Sequence, residues 1–231
     1  MKTIGIIGGL GPESTVDYYK RMIATVQAYY PERAYPEIIV FSANLTKLLE
    51  LVNKKDWEML TTWLVEKIEA VSRAGAEFAA IASNTPHIVF DAVQSRSPIP
   101  LISIVEETCK QAESLGLKRL GLMGTKFTME ADFYQKSFAA KGMSVAVPDE
   151  TAQQCIQEKL FSEIELGIIK ESTRQDLLGI VRQMIAKEAI EALILGCTEL
   201  PLILTKDEFG IPFLNTTAIQ VASIMNYCMT E

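Results

Sequence analysis

Short runs of Ile, Val and Leu alternate along this chain with longer amphipathic stretches, and this alternation restricts the fold more than any other feature. Strands are predicted over residues 4–7, 37–42, 78–82, 101–104, 119–123, 143–147 and 192–195. Helical patterns lie between them, over residues 14–29, 57–73, 106–114, 129–141 and 173–187. Uniformly apolar strands that alternate with helices are typical of a parallel sheet covered on both faces, so we predict an α/β fold.

The two halves of the chain carry a similar segment. In residues 81–87 and again in residues 195–201, a predicted strand ends in small residues and continues into a polar turn and a helix. These segments place Ser83 and Cys197 at corresponding strand ends, each followed by a threonine that could cap the next helix. The repeat predicts two similar lobes whose corresponding strand ends would line one cleft.

The charge balance excludes several classes of partner. The 231 residues carry a formal net charge of −7, so a broad electrostatic attraction to nucleic acid or anionic lipid is not expected. No apolar run approaches the roughly 18 residues of a membrane span. The apolar run within residues 1–9 is too short for a secretory signal and is interpreted as a buried strand. We therefore expect a cytoplasmic protein.

The cysteines and the histidine limit the chemistry. Cys109, Cys155, Cys197 and Cys228 form no CxxC pair, and His87 is the single histidine. This pattern indicates neither a zinc site nor a disulfide framework, and no metal is predicted. The first, second and fourth cysteines lie inside helical patterns and are interpreted as buried apolar residues.

Cys197 is the strongest candidate for a reactive residue. The thiolate is the reactive form of cysteine, and a helix N-terminus after the strand would lower the thiol pKa. Gly196 would leave space beside it, and Glu199 would bind a substrate ammonium group or cap the turn. Taken alone, however, a cysteine in an apolar context is more often a buried packing residue.

Two further glycine-containing segments follow predicted strands. Residues 8–15 contain three glycines, which let the backbone approach a ligand, and free N–H groups at the helix start favour a carboxylate. In the second segment Thr125 and Thr128 offer hydroxyl groups, and Lys126 offers a cation for a carboxylate. The alternative for both segments is a tight turn with a helix cap, and for Lys126 a solvated lysine.

Together these segments carry a family resemblance. The chain resembles the aspartate/glutamate racemases over nearly its whole length, and Gly-Cys-Thr-Glu is closer to the aspartate branch than the Gly-Cys-Thr-His of glutamate racemase. The motifs occur in the family's order: Gly8-Gly9-x-Gly11-Pro12-Glu13-x-Thr15, Asn84-Thr85-x-His87, Gly124-Thr125-Lys126-x-Thr128-Met129 and Gly196-Cys197-Thr198-Glu199.

The resemblance implies both a fold and a mechanism. Each lobe would be a parallel four-stranded sheet flanked by helices, with residues 1–98 and 213–231 in the first lobe and residues 99–212 in the second. The active site would lie in the inter-lobe cleft of a homodimer. The family uses no pyridoxal phosphate or other cofactor; two cysteines on opposite faces of the α-carbon remove and return its proton.

The sequence departs from this pattern at Ser83, which stands where the family has its first cysteine. A hydroxyl is a far weaker acid than a thiol. Cys197 would then remove the proton while Ser83 or an ordered water returns one slowly, giving a bias toward L-substrates. Alternatively, the chain catalyses another reaction that needs one thiol, as arylmalonate decarboxylases do, or Ser83 is an introduced substitution.

The resemblance also assigns substrate contacts. Asn84, Thr85 and Thr198 would hold the amino-acid head group, together with backbone amides near Gly9, Leu10 and Thr125. A dicarboxylate needs a further cation, for which Lys47 is the first candidate and Lys126 and Lys170 are weaker ones. The alternative for Lys47 is a solvated lysine at a helix start.

Three functions follow from these observations. The first is an amino-acid racemase acting on aspartate and/or glutamate, which Asn84 and Glu199 favour because both could contact an ammonium group. The second is a single-cysteine decarboxylase or isomerase of a dicarboxylate. The third is an amino-acid-binding homologue that has lost turnover.

Overall fold

The computed structural model describes residues 1–29 and 35–230. The chain forms two compact units. Met1–Glu107 and Thr217–Glu231 make the first unit, and Thr108–Thr216 makes the second. Each contains one parallel four-stranded sheet flanked by helices, as the sequence predicts.

The first unit has the strand order β2-β1-β3-β4. Its strands are β1 (Ile4–Gly8), β2 (Ile38–Ser42), β3 (Phe78–Ile81) and β4 (Leu101–Ile102). The helices are α1 (Pro12–Tyr29), α2 (Leu45–Asn53), α3 (Trp57–Arg73) and α4 (Phe90–Arg96), with α5 (Ile104–Ser114) crossing the unit boundary.

The second unit repeats this arrangement with the order β6-β5-β7-β8. Its strands are β5 (Arg119–Met123), β6 (Ser144–Ala146), β7 (Ala192–Leu195) and β8 (Phe213–Asn215). The helices are α6 (Lys126–Glu130), α7 (Phe133–Ala139), α8 (Glu150–Ser162) and α9 (Glu171–Glu188); α10 (Thr216–Met229) then returns the chain to the first unit.

The central strands are buried because helices cover both faces of each sheet. Every residue of β1, β3 and β7 is buried, which explains why their sequences are continuously apolar instead of alternating. In the first unit α1 and α10 pack on the sheet, and the Tyr18 hydroxyl bonds the Gln220 side chain inside this layer. Burial on this scale holds the strand ends, and the loops that follow them, in fixed positions.

The structure corrects two of the predicted elements and the predicted boundaries between the lobes, and it adds α2, α4, α8 and β8, which were not predicted. Ile104, predicted as the end of a strand, begins α5. The single helix predicted over residues 129–141 is two helices, because the extended backbone of Ala131 ends α6 before α7 begins. The first unit extends to residue 107 instead of residue 98, since β4 pairs with β3 in the first sheet. The second unit extends to residue 216 instead of residue 212, since β8 pairs with β7 in the second sheet.

Among the described residues, no helix combines the length and the apolar character that crossing a membrane requires. None of the four cysteines, all of which lie in the described part of the chain, forms a disulfide, and Cys109 and Cys228 are buried as expected while Cys155 is half-buried.

Candidate active site

Cys197 lies at the carboxyl end of β7, where a parallel sheet usually presents its functional residues. The backbone N–H of Gly196 donates to the Met123 carbonyl at 2.7 Å and continues the pairing of β7 with β5. A Cβ atom at Gly196 would lie 2.6 Å from Leu122 Cδ1. The space beside Gly196 is therefore filled by the Leu122 side chain, whereas the sequence predicts open space there.

The Cys197 thiol is bound to a carboxylate. Its Sγ donates to Glu199 Oε2 at 3.0 Å, and the Thr198 hydroxyl donates to the same oxygen at 2.8 Å. Cys197 and Glu199 are only 6% and 7% exposed. Burial, and next the negative charge of Glu199, hold the pKa of the Cys197 thiol well above its usual range.

The expectation that a helix N-terminus lowers this pKa is wrong. The residues after Cys197 form only a three-residue 3-10 helix, Leu200–Leu202, which has too few aligned peptides to offset burial and a neighbouring carboxylate. Glu199 makes no side-chain capping bond to this helix. The resting sulfur is therefore a thiol, and Glu199 is the group positioned to receive its proton.

Ser83 occupies the equivalent strand end in the first unit, just after β3, and is 8% exposed. The Nδ1 atom of His87 lies 2.9 Å from the Ser83 carbonyl oxygen, and His87 Nε2 accepts from the Ile104 N–H at 3.2 Å. Burial lowers the pKa of His87 to about 4, so the ring is neutral at pH 7 with its hydrogen on Nδ1. Both ring nitrogens are thus occupied by the backbone, and His87 is not a base for the Ser83 hydroxyl.

The threonines after the two strand ends do not cap helices as the sequence suggested. Asn84 is buried at the start of the 3-10 helix Thr85–Val89, which has no side-chain capping bond, and Thr85 is half-buried. Thr198 instead orients its hydroxyl toward Glu199. Contacts of Asn84, Thr85 and Thr198 with an amino-acid head group stay predictions.

The glycine segment after β1 is a tight turn. The Gly9 N–H donates to Thr15 Oγ1 at 2.9 Å, so this amide is already used inside the turn. Gly9 has a φ of +74°, and a Cβ there would lie 2.4 Å from the Ala43 carbonyl oxygen. Leu10 is buried. Contacts of the Gly9 and Leu10 backbone amides with a substrate carboxylate stay predictions.

The segment after β5 forms a helix cap. The Thr125 hydroxyl accepts from the Thr128 N–H at 3.3 Å and lies 3.0 Å from the Thr128 hydroxyl. The Lys126 N–H donates to Gln157 Oε1 at 2.7 Å, and Lys126 Nζ lies 3.6 Å from Glu130 Oε1. Thr125 and Thr128 therefore form a helix cap, as the alternative interpretation of this segment predicted.

Lys47 and Lys170 also pair with acidic side chains. Lys47 lies in the first turn of α2, with its Nζ 3.7 Å from Glu50 Oε2 and its side chain 44% exposed. Lys170 Nζ lies 3.1 Å from Glu163 Oε1. Both lysines are partly solvated, and a contact with a substrate carboxylate stays a prediction.

Glu165 is the residue that sequence reasoning missed. It belongs to the 3-10 helix Ile164–Leu166, and one ligand atom each of Glu165, Cys197 and Glu199 lies within 4.8 Å of the others. Burial, and next the charge of Glu199, raise the pKa of Glu165 to about 7. No local motif marks this glutamate, because it reaches Cys197 only through the folding of α8 and β7 into one unit.

These three side chains could also ligate a metal ion. They are the one group of at least three His, Cys, Asp or Glu side chains with suitable spacing among residues 1–29 and 35–230. One thiol and two carboxylates without a histidine form an acidic, mixed ligand set. The same atoms also suit proton transfer, since a thiol that donates to a carboxylate is an acid–base pair.

The chain is similar to known proteins both in sequence and in fold. The family model for Asp/Glu/Hydantoin racemase matches residues 7–224. The chain is 25% identical to the broad specificity amino-acid racemase RacX of Bacillus subtilis, over 96% of each chain.

Two solved structures have the same fold. An aspartate racemase homologue from Pyrococcus horikoshii is 35% identical, with a TM-score of 0.86 over 100% of both chains. The aspartate racemase of Picrophilus torridus is 18% identical, with a TM-score of 0.81 over 99% of this chain and 94% of that one. The two four-stranded sheets and the thiol–carboxylate pair thus occur in a chain that belongs to the Asp/Glu/Hydantoin racemase family.

Proposed function

We propose that this chain is a cofactor-independent amino-acid racemase in which Cys197 removes the α-proton. The observation that carries the proposal is the 3.0 Å contact between Cys197 Sγ and Glu199 Oε2 at a buried strand end. A thiol paired with its own carboxylate base can act on a carbon acid without pyridoxal phosphate. The family match supports the reaction class.

The first half-reaction moves two protons. The thiol proton passes to Glu199 along the existing hydrogen bond, which leaves a thiolate beside a neutral carboxylic acid. The thiolate then takes the α-proton: the C–H bond breaks, an S–H bond forms, and the electron pair is delocalised into the substrate carboxylate. Exclusion of water from such a site protects the carbanion from uncontrolled protonation.

The second half-reaction is the weak one in this proposal. Ser83, or an ordered water, gives a proton to the opposite face of the carbanion. The alkoxide or hydroxide that is left takes a proton from solvent, and Glu199 releases to solvent the proton it received from the thiol. His87 is neutral and bonded to the backbone through both ring nitrogens, so it does not assist the serine hydroxyl. The two steps would therefore differ in rate: Cys197 would deprotonate an L-substrate readily, and the D-product would form slowly.

The substrate in this proposal is an α-amino acid, with aspartate and/or glutamate as the sequence-based expectation. The head-group contacts of Asn84, Thr85, Thr198 and Thr125, and that of Lys47 with a distal carboxylate, belong to the same proposal. A homodimer is expected from the family resemblance and a cytoplasmic location from the sequence, and light scattering of the purified protein would determine its assembly state.

The first experiment follows α-proton exchange in heavy water by NMR and product chirality by chromatography, with L-aspartate, L-glutamate and the other L-amino acids. We expect exchange to fall by at least about 100-fold in Cys197→Ala, because the group that removes the proton is gone. Ser83→Cys should raise the yield of D-product, since a thiol protonates the carbanion better than a hydroxyl. Ser83→Ala should retain exchange if water serves as the acid.

Two results would contradict the proposal. Exchange that persists in Cys197→Ala would assign the chemistry to another group. No exchange with any amino acid in the wild type and in Ser83→Cys would remove the racemase function. If amino acids then raised the melting temperature without exchange, a binding homologue would be favoured.

A further inference from the structure

The side chain of Glu165 brings a second carboxylate to the reactive thiol. Its carboxylate, the thiol of Cys197 and the carboxylate of Glu199 have one atom each within 4.8 Å of the others. All three belong to the second unit. The reactive sulfur is thus next to two acidic groups within its own unit.

Glu165 differs from its near neighbour Glu163 in how its charge is balanced. The Glu163 carboxylate accepts from the Thr173 hydroxyl and pairs with Lys159 and Lys170 at 3.8 and 3.1 Å. For Glu165, the structure of residues 1–29 and 35–230 contains no hydrogen bond or ion pair to the carboxylate. A half-buried carboxylate beside another acid is costly until a cation approaches it.

The lysines expected to bind a distal substrate carboxylate have acidic partners instead. Within the second unit, Lys126 pairs with Glu130 and Lys170 pairs with Glu163. The charges that act on the Cys197 thiol in this unit come from Glu199 and Glu165, two carboxylates that repel a dicarboxylic substrate when they are ionised.

We infer that Glu165 determines substrate specificity and favours amino acids with a positively charged side chain, an amine or a guanidinium, over aspartate and glutamate. This inference rests on the proposed racemase function and revises its expected substrates. The zwitterionic head group is common to all amino-acid substrates and carries no net charge, so a cationic side chain is the part that brings a positive charge to the Glu165 carboxylate. A dicarboxylic substrate would instead add a like charge, and like-charge contacts in a partly desolvated site are strongly unfavourable.

The test compares kcat/KM for α-proton exchange of L-ornithine, L-lysine and L-arginine with that of L-aspartate, L-glutamate and L-glutamine. The wild type, Glu165→Gln and Glu165→Lys are measured with and without a chelator. Glu188→Lys is the matched control, because it makes the same charge change at an exposed position at the end of α9. Thermal unfolding shows whether each variant is folded.

We expect the wild type to prefer the cationic substrates over L-glutamate by at least about tenfold, which corresponds to about 1.4 kcal/mol. Glu165→Gln should remove most of this preference, and Glu165→Lys should reverse it. Glu188→Lys should keep the wild-type order. If Glu165→Lys does not fold, the nearly isosteric Glu165→Gln decides the matter.

Three outcomes would overturn the inference. The first is a wild type that exchanges aspartate or glutamate as efficiently as the cationic substrates, and the second is an unchanged preference in Glu165→Gln; both leave the racemase proposal intact. The third is a preference that depends on the chelator, since a divalent cation would then be the partner of Glu165. A complete lack of exchange would remove the racemase function and this inference together.

Discussion

At the scale of single residues, Glu199 controls the sulfur in two opposing ways. Its Oε2 accepts the thiol hydrogen at 3.0 Å, which makes it the immediate base in the proposed mechanism. Its negative charge also raises the pKa of Cys197, so the thiol stays protonated until the proton is transferred. The two effects can be measured separately. The first changes the rate of proton transfer, and the second changes the fraction of Cys197 that is a thiolate in the resting protein.

Glu199→Gln keeps the shape of the side chain but removes the base and the charge. We expect α-proton exchange to fall by at least about 100-fold. The pKa of the Cys197 thiol should fall at the same time, because the negative charge that raises it is gone. Heavy-water exchange measures the first effect. The pH profile of alkylation, followed by mass spectrometry of the peptide that contains Cys197, measures the second.

The direction of the two changes distinguishes a base from a merely structural residue. A variant that had only lost its local fold would lose exchange without an orderly acidic shift of the alkylation profile. Exchange that survives in Glu199→Gln would show that another group receives the thiol proton. Glu188→Gln, at the exposed end of α9, is the control and should change neither measurement.

At the scale of elements, the position of Cys197 depends on the close approach of two strand ends. β5 and β7 pair in parallel with Met123 opposite Leu195, so the next residues, Gly124 and Gly196, meet. A Cβ atom at Gly124 would lie 2.9 Å from the Gly196 carbonyl oxygen. Because that neighbour is backbone, it cannot rotate away as a side chain could.

Gly124→Ala should therefore displace the backbone that carries Cys197. We expect a loss of about 1–3 kcal/mol in the free energy of unfolding, together with reduced exchange. Gly179→Ala is the control, because a Cβ there meets nothing within 4 Å in α9 and alanine favours a helix by up to about 1 kcal/mol. Urea unfolding measures both; a Gly124→Ala variant as stable as Gly179→Ala would contradict this account.

The sequence predicted those elements whose pattern is long or uniformly buried. The strand over residues 119–123 and the helix over residues 57–73 match β5 and α3 because their apolar spacing leaves few alternatives. The short strand β8 was not predicted, since three residues carry too little pattern to distinguish a strand from a loop. The helix α8 was not predicted either. Its few buried residues form a narrow stripe among polar ones, so the helical spacing of apolar residues is weak there.

At the scale of the whole molecule, the internal repeat was predictable and the charge at the site was not. Ser83 and Cys197 follow β3 and β7, and each of these strands is third in the order of its sheet. The repeat predicted from the sequence therefore matches the structure. The order of the four motifs along the sequence was sufficient to indicate the family. Glu165 could not be predicted, because its approach to Cys197 depends on tertiary folding and its own segment has no distinctive pattern.

The buried His87 and the half-buried Glu165 make the stability of the molecule depend on pH in opposite directions. The pKa of His87 is lowered from 6.5 to about 4, so the unfolded chain binds this proton more readily and acidification destabilises the fold between those values. The pKa of Glu165 is raised from 4.5 to about 7, so the folded chain binds that proton more readily and acidification stabilises the fold. Because the two contributions have opposite signs, the total change in the free energy of unfolding with pH does not show either of them separately.

A comparison of the wild type with His87→Gln isolates the first contribution. Between pH 7 and pH 5, His87 should cost the wild type about 2 kcal/mol in the free energy of unfolding, a loss that glutamine cannot suffer because it does not titrate. Urea unfolding of both proteins at the two pH values measures this difference. His87→Gln should be the less stable protein at pH 7, where its contacts with Ser83 and Ile104 are perturbed, and the gap should narrow at pH 5. A gap that stays constant would mean that His87 is not held neutral by burial.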